Sequence, residues 1–166
     1  MITLGRLAFL LLAAFAAGCG SSDDDGGSDP SSSVSCTSDP RLDAYAGEME
    51  KSGELGALRF RFSNFDPAQP ARGNNTFHVQ VVDAAGVPMS GDEADPQHVS
   101  LSVNLLMPDH GHGTSVVPRV TFDAGSFTLT PLYLFMPGVW RIELDAETGD
   151  ADTLLDRVTL HFCIEG

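Results

Sequence analysis

Positive charge, cysteine and long apolar runs are all scarce in this chain. Only 9 of its 166 residues are Lys or Arg, against 23 Asp or Glu, and the formal net charge is −14. This acidity argues against nucleic acid or an anionic lipid surface as a partner, because both repel a negative protein. The apolar run at 7–15 is too short for a membrane-spanning helix.

Signatures of catalysis are also missing from the sequence. Asp109 and His110 stand close to Thr114 and Ser115, a composition that invites comparison with a hydrolase triad. Neither a nucleophile elbow nor an oxyanion-hole element accompanies them. An Asp-His pair on a tight loop more often belongs to the turn itself, so we expect a protein that is not an enzyme.

The N-terminal residues have the composition of a targeting segment followed by a tether. Arg6 precedes the apolar run, and the small residues 16–18 lead to Cys19. This arrangement resembles the lipobox of bacterial lipoproteins, which implies a signal peptide over 1–18 and a lipidated Cys19. Residues 19–35 are rich in Gly, Ser and Asp and predict a flexible tether. The alternative is an ordinary secretory signal, with no lipid on the cysteine.

The compartment implied by this N-terminus gives the other two cysteines a role. Gly20 rather than aspartate follows Cys19, which resembles sorting to the outer membrane, so we expect a lipid-anchored protein facing the periplasm. Cys36 and Cys163 lie near the two ends of the globular part, 36–166. Outside the cytoplasm they predict a disulfide, and the competing interpretation is a pair of thiolate metal ligands.

Alternation of apolar and polar residues with a period of two dominates the globular part. It predicts about seven short strands, at 58–62, 77–81, 99–105, 120–122, 127–129, 140–144 and 158–162. Only 41–51 could form a short helix, and Gly47 weakens it. We therefore predict one all-β domain, an immunoglobulin-like β-sandwich.

Several short motifs follow one another along this domain. They are YAGEMEKSG at 45–53, GNNTF at 73–77, DAAGVP at 83–88, MPDHGHGT at 107–114 and FMPGVW at 135–140. Together they resemble the YtkA-like domain, a bacterial extracytoplasmic β-sandwich module. The resemblance covers about 45–144 and implies the fold more than an activity. Members of that family often accompany copper handling or oxidase assembly, so the resemblance also suggests copper.

Side chains suited to copper are concentrated in the motif at 107–114. Met107, His110 and His112 supply a thioether and two imidazoles, a ligand set that copper prefers. Met136 stands before a proline at the end of a predicted strand, as Met107 does. We therefore predict a copper site. Its candidate ligands are His110, His112, Met107 and Met136, and weaker candidates are Met89, His78 and His98.

A structural interpretation of the same motif stays open. Histidines between glycines can bond to backbone carbonyls, Asp109 can cap a turn, and both methionines can fill the core. The sequence therefore supports two functions. The first is a lipid-anchored module that binds copper. The second is a lipid-anchored structural or interaction module, whose loops or edges contact a protein partner in the envelope.

Overall fold

The computed structural model describes residues 35–149 and 153–166 and shows two antiparallel sheets. The five-stranded sheet has the order β1-β2-β3-β7-β6, and the four-stranded sheet has the order β5-β4-β8-β9. The strands are β1 (Met49–Ser52), β2 (Leu58–Asp66), β3 (Gly73–Asp83), β4 (Val99–Met107), β5 (His112–Gly113), β6 (Arg119–Asp123), β7 (Ser126–Leu134), β8 (Gly138–Thr148) and β9 (Leu154–Ile164). The predicted all-β sandwich is confirmed, and its immunoglobulin-like classification stays a prediction.

Helix is absent from the described residues, so none of them forms a helix long and apolar enough to cross a membrane. The predicted signal peptide, Cys19 and nearly all of the tether lie outside the described residues.

The seven predicted strands correspond to β2, β3, β4, β6, β7, β8 and β9. The possible helix at 41–51 is wrong, because its end forms β1, in which Met49 pairs with Phe62 and Ser52 with Arg59. Strand pairing with a distant segment overrides the weak local helix preference there. The sequence also missed β5, because two residues are too short to show any periodicity.

The core lies between the two inner faces, where the alternating apolar residues meet. Each fully buried side chain of this kind stabilises the fold by about 1.5–3 kcal/mol. Trp140 is fully buried, and its indole N–H donates to the carbonyl of Met136 at 2.9 Å. Other large side chains buried with it are Phe60, Phe62, Phe77, Leu129, Leu132, Ile142, Leu144 and Leu160.

The N-terminal segment covers the outer edge of β9. Asp43 and His161 exchange two bonds: the Asp43 N–H donates to the carbonyl of His161 at 3.0 Å, and its carboxylate accepts from the His161 N–H at 2.8 Å. Lys51 donates to the carbonyl of Thr159 at 2.6 Å. A disulfide joins Cys36 to Cys163, the pairing that the sequence predicts, with 5.5 Å between the Cα atoms. The edge of β9 is therefore unable to pair with another chain.

A buried carboxylate fastens the β1–β2 turn to β9. The side chain of Asp156 is fully buried and accepts four backbone N–H bonds of 2.7–2.8 Å, from Leu55, Ala57, Leu58 and Arg157. Burial alone would raise the pKa of Asp156, but the four donors outweigh it and lower that pKa. The ionised form is therefore the one that the fold stabilises.

Removal of the disulfide should destabilise the protein. Cys36 and Cys163 are 127 residues apart, so the cross-link restricts most of the unfolded chain. We expect the Cys36→Ser/Cys163→Ser double variant to lose about 2–5 kcal/mol of the free energy of unfolding, measured by urea denaturation. Cys19→Ser is the control, because that residue lies outside the closed loop. Equal urea midpoints for the double variant and the unaltered protein would contradict the prediction.

Loss of the Asp156 charge should destabilise the protein in a pH-dependent way. Because its folded pKa is lowered, the stabilisation is complete above the unfolded value, about 4, and is lost as the pH falls through the folded pKa. At pH 7, Asp156→Asn should cost on the order of 3 kcal/mol. The gap to the unaltered protein should narrow in urea titrations below about pH 4. Asp123→Asn, at an exposed position, is the control, and a pH-independent gap would refute the assignment.

Candidate functional site

The motif at 107–114 forms a tight hairpin at the end of β4. The N–H groups of His110 and Gly111 both donate to the carbonyl of Met107, at 3.1 and 2.9 Å. The chain then returns along β4 as β5, with His112 opposite Met107 and Gly113 opposite Leu106. The turn therefore presents His110 and His112 on either side of Gly111, close to the end of the strand.

Both glycines of the motif are explained by this backbone. Gly111 has a φ of 67°, the left-handed conformation that side chains other than glycine rarely adopt. A Cβ at Gly113 would lie 2.1 Å from the carbonyl oxygen of Leu105, which is closer than any real contact. Turn geometry alone therefore requires these two residues, whether or not the turn binds a ligand.

The imidazole rings of the two histidines are exposed instead of packed in the core. Both side chains are exposed, and their ring centroids lie 5.6 Å apart. Within the described residues, the His112 side chain forms one long hydrogen-bond contact of 3.4 Å, from Nδ1 to the carbonyl of Gly113. Two imidazoles that bind one ion at about 2 Å hold their ring centroids roughly 5–6 Å apart. The observed separation therefore suits a shared ion.

The two methionines differ in their access to such an ion. Met107 is fully buried, and its methyl group would lie 2.8 Å from a Cβ placed on Gly138. It fills the core and cannot reach an ion beside the exposed histidines in this conformation. Met136 is partly buried against the core. Its neighbour Phe135 stacks on His112 with 6.0 Å between ring centroids, so the β7–β8 turn that carries Met136 adjoins the histidines.

The weaker candidates lie on other parts of the sandwich. His78 contacts the Thr128 hydroxyl at 3.2 Å on the outer face of the five-stranded sheet. His98 precedes β4, and its Nδ1 lies 2.7 Å from the carbonyl of Asp95. Met89 packs against the core. The contacts of these three side chains therefore give no support to a role for them as ligands at the turn.

Asp109 is held by an arginine rather than left open for a metal. Arg41 donates two hydrogen bonds to its carboxylate, at 2.8 and 2.7 Å, and two more to Asp39, at 2.9 and 2.6 Å. These bonds lower the pKa of Asp109 and bring that of Asp39 to about 2. Both carboxylates raise the pKa of Arg41. The N-terminal segment therefore fixes the base of the turn.

Arg41 and Phe135 are the site residues that sequence reasoning missed. Arg41 lies 68 residues from Asp109, and no periodicity or spacing predicts their contact. Phe135 belongs to a row of rings in which Tyr133 and His112 stack on either side of it, with centroids 6.0 Å apart in each pair. Its position just before Met136 was the only available signal.

A complete metal centre is absent from the part of the chain that the structure describes. Within residues 35–149 and 153–166, no three His, Cys, Asp or Glu side chains are grouped as a metal centre needs. The alternative of Cys36 and Cys163 as thiolate ligands is wrong in this structure, because the disulfide uses both sulfur atoms. The turn therefore offers two imidazoles, and Met136 belongs to the adjoining β7–β8 turn.

Comparison with known proteins adds no assignment. No family model, no curated protein and no solved structure matches this chain. The YtkA-like resemblance therefore stays a prediction.

Substitution of Arg41 should release both carboxylates. In Arg41→Gln we expect the pKa of Asp39 to rise from about 2 and that of Asp109 to rise toward its usual range, because the charged bonds that stabilise both ionised forms are lost. Carboxyl carbon shifts followed by NMR through an acid titration would measure both values. Arg119→Gln, on exposed β6, is the matched control. Unchanged titrations in Arg41→Gln would show that the arginine does not hold these groups in solution.

Proposed function

We propose that this protein is a lipid-anchored module of the bacterial cell envelope that binds a copper ion at the β4–β5 turn. The observation that carries the proposal is the pair of exposed imidazoles of His110 and His112, whose ring centroids lie 5.6 Å apart. Imidazole suits copper in proteins. Met107, Asp109, Gly111 and Gly113 are explained by packing, an ion pair and turn geometry, whereas both imidazoles stay exposed.

The proposed ligand set would leave the ion accessible. His110 and His112 would supply two nitrogens, and Met136, on the adjoining turn, would add a soft sulfur ligand. A thioether selects Cu(I), whereas imidazoles also suit Cu(II). Two surface ligands leave coordination positions for water or for a group of another protein. Such a site fits uptake and transfer of an ion better than permanent storage.

The envelope part of the proposal depends on the N-terminal sequence. A lipidated Cys19 would hold the domain at the outer membrane, facing the periplasm, on the tether at 19–35. The disulfide between Cys36 and Cys163 is consistent with an oxidising compartment. The proposed activity is binding and delivery, without a catalytic step.

A structural or protein-interaction module is the second candidate. It is favoured by the burial of Met107 and by the Arg41–Asp109 pair, because both explain parts of the motif without a metal. The stacked rings of Tyr133, Phe135 and His112 would then form a contact surface for an envelope partner.

Copper titration of the full-length protein by calorimetry should separate the two candidates. We expect one Cu(II) and one Cu(I) per chain, with affinity at least tenfold lower in His110→Ala/His112→Ala, because the imidazoles are the principal ligands. Met136→Leu should weaken Cu(I) more than Cu(II), since it removes a soft sulfur of similar bulk.

His78→Ala/His98→Ala is the matched control, with the same number of histidines removed away from the turn, and Met107→Leu should leave both affinities unchanged. Equal copper binding by the His110→Ala/His112→Ala variant and the unaltered protein, with both folded, would reject the site and favour the interaction module.

A further inference from the structure

The four-stranded sheet leaves one of its two edges open. Strand β4 pairs with β8 on one side, and on the other it pairs with β5 at Leu106 and Met107, where Gly113 also lies against the carbonyl of Leu105. At its start, the Val99 N–H donates to the carbonyl of Ser90 at 2.8 Å. Between these contacts, no strand of the described residues pairs with the outer edge of β4 at 101–105.

The backbone N–H and C=O groups of every second β4 residue point away from β8. The Val99 N–H and the Met107 carbonyl both bond on the side opposite β8. Because N–H and C=O groups of an antiparallel strand alternate in direction from residue to residue, those of Leu101 and Val103 face the same way. Two donors and two acceptors are therefore available to an added strand, as in other cases of strand addition.

A groove of mixed polarity adjoins the open edge on the inner side. It has a volume of about 520 Å³ and lies between the edges of β4 and β6. Leu101, Val120, Phe122 and Phe127 supply apolar lining together with Val99, and Glu93, His98 and Ser100 supply polar groups. The inward side chains of a strand added at β4 would enter this groove, and alternate residues of that strand should therefore be apolar.

On the outer face of the same edge, the β4 side chains are small and lie beside acidic residues of β8. Ser100, Ser102 and Asn104 are exposed, and their partners on β8 are Glu147, Asp145 and Glu143. Arg157 neutralises Asp145 at 2.5 Å, whereas Glu147 forms no ion pair with any described residue. Long basic side chains on the outer face of an added strand would cross the small β4 side chains and reach Glu147.

We propose that the outer edge of β4 at 101–105 binds an extended segment of a partner protein that alternates apolar and basic residues. The apolar side chains enter the β4–β6 groove, the basic ones lie toward Glu147, and backbone bonds form to Leu101 and Val103. The net charge of −14 attracts such a segment and repels a second copy of this chain. The site uses neither histidine of the turn and stands independently of copper.

Fluorescence anisotropy with the full-length protein and a labelled Val-Lys repeat of eight residues tests this proposal. We expect saturable binding that is at least tenfold weaker in Val103→Pro, because proline removes an outward N–H at a position where an edge strand tolerates it. Ser102→Ala, on the same strand, is the matched control and should bind normally. Glu147→Gln should weaken binding several-fold and reduce its dependence on salt.

Three control peptides keep the test decisive if Val103→Pro does not fold. A peptide N-methylated at alternate residues, a Val-Glu repeat, and a block peptide with four Val before four Lys should all bind at least tenfold more weakly. If the block peptide bound as tightly as the Val-Lys repeat, charge alone would explain the binding and the proposal would be overturned. A dimer in sedimentation that Val103→Pro abolishes would also overturn it, in favour of a second copy of this chain.

Discussion

The carboxylate of Asp156 is the constraint on which the arrangement of the two sheets depends. Asp156 lies on β9, in the four-stranded sheet. Its carboxylate accepts hydrogen bonds from backbone N–H groups of the turn that joins β1 to β2, in the five-stranded sheet. A buried charge is tolerated only when hydrogen bonds replace its water, and four backbone donors do so here. With this turn fastened to β9, the preceding residues lie along the same edge, where Asp43 and Lys51 add their bonds. The same segment begins at the disulfide and carries Arg41 to Asp109 at the candidate site.

How much of the structure could be predicted depends on whether each sequence signal is local or joins residues far apart in the chain. Alternation is local, so a strand such as β8 could be predicted from its own residues, because its partners do not change which side chains face inward. β1 and β5 exist only because β2 and β4 pair with them, and no local pattern marks them. The pairing of Arg41 with Asp109 is also non-local. Met107 is instructive: it follows Leu101, Val103 and Leu105 on the inward face, so the alternation that predicts β4 also predicts its burial. Its chemistry suggested a ligand, but its position in the strand made it part of the core.

The turn at 107–114 combines residues with different reasons to be there. Met107 fills the core, Gly111 and Gly113 satisfy the backbone, and Asp109 holds Arg41. A motif whose every residue had such a role would need no ligand. The side chains of His110 and His112 remain exposed and adjacent, and within the described residues neither forms a short hydrogen bond, so both stay candidate ligands. The set of candidate metal ligands is therefore smaller than the four that the sequence suggested.

Strand β4 connects the two proposed sites. Its outer edge at 101–105 and the histidine turn at its end lie on one continuous strand, and β5 occupies the edge beyond Leu106. A segment added at 101–105 would therefore have one end near β5, beside His112. A partner that extends by a few residues in that direction could offer a ligand to an ion with open coordination positions. Under both proposals, docking of the partner would raise the local concentration of that ligand, and recognition and ion transfer would be coupled through the geometry of a single strand.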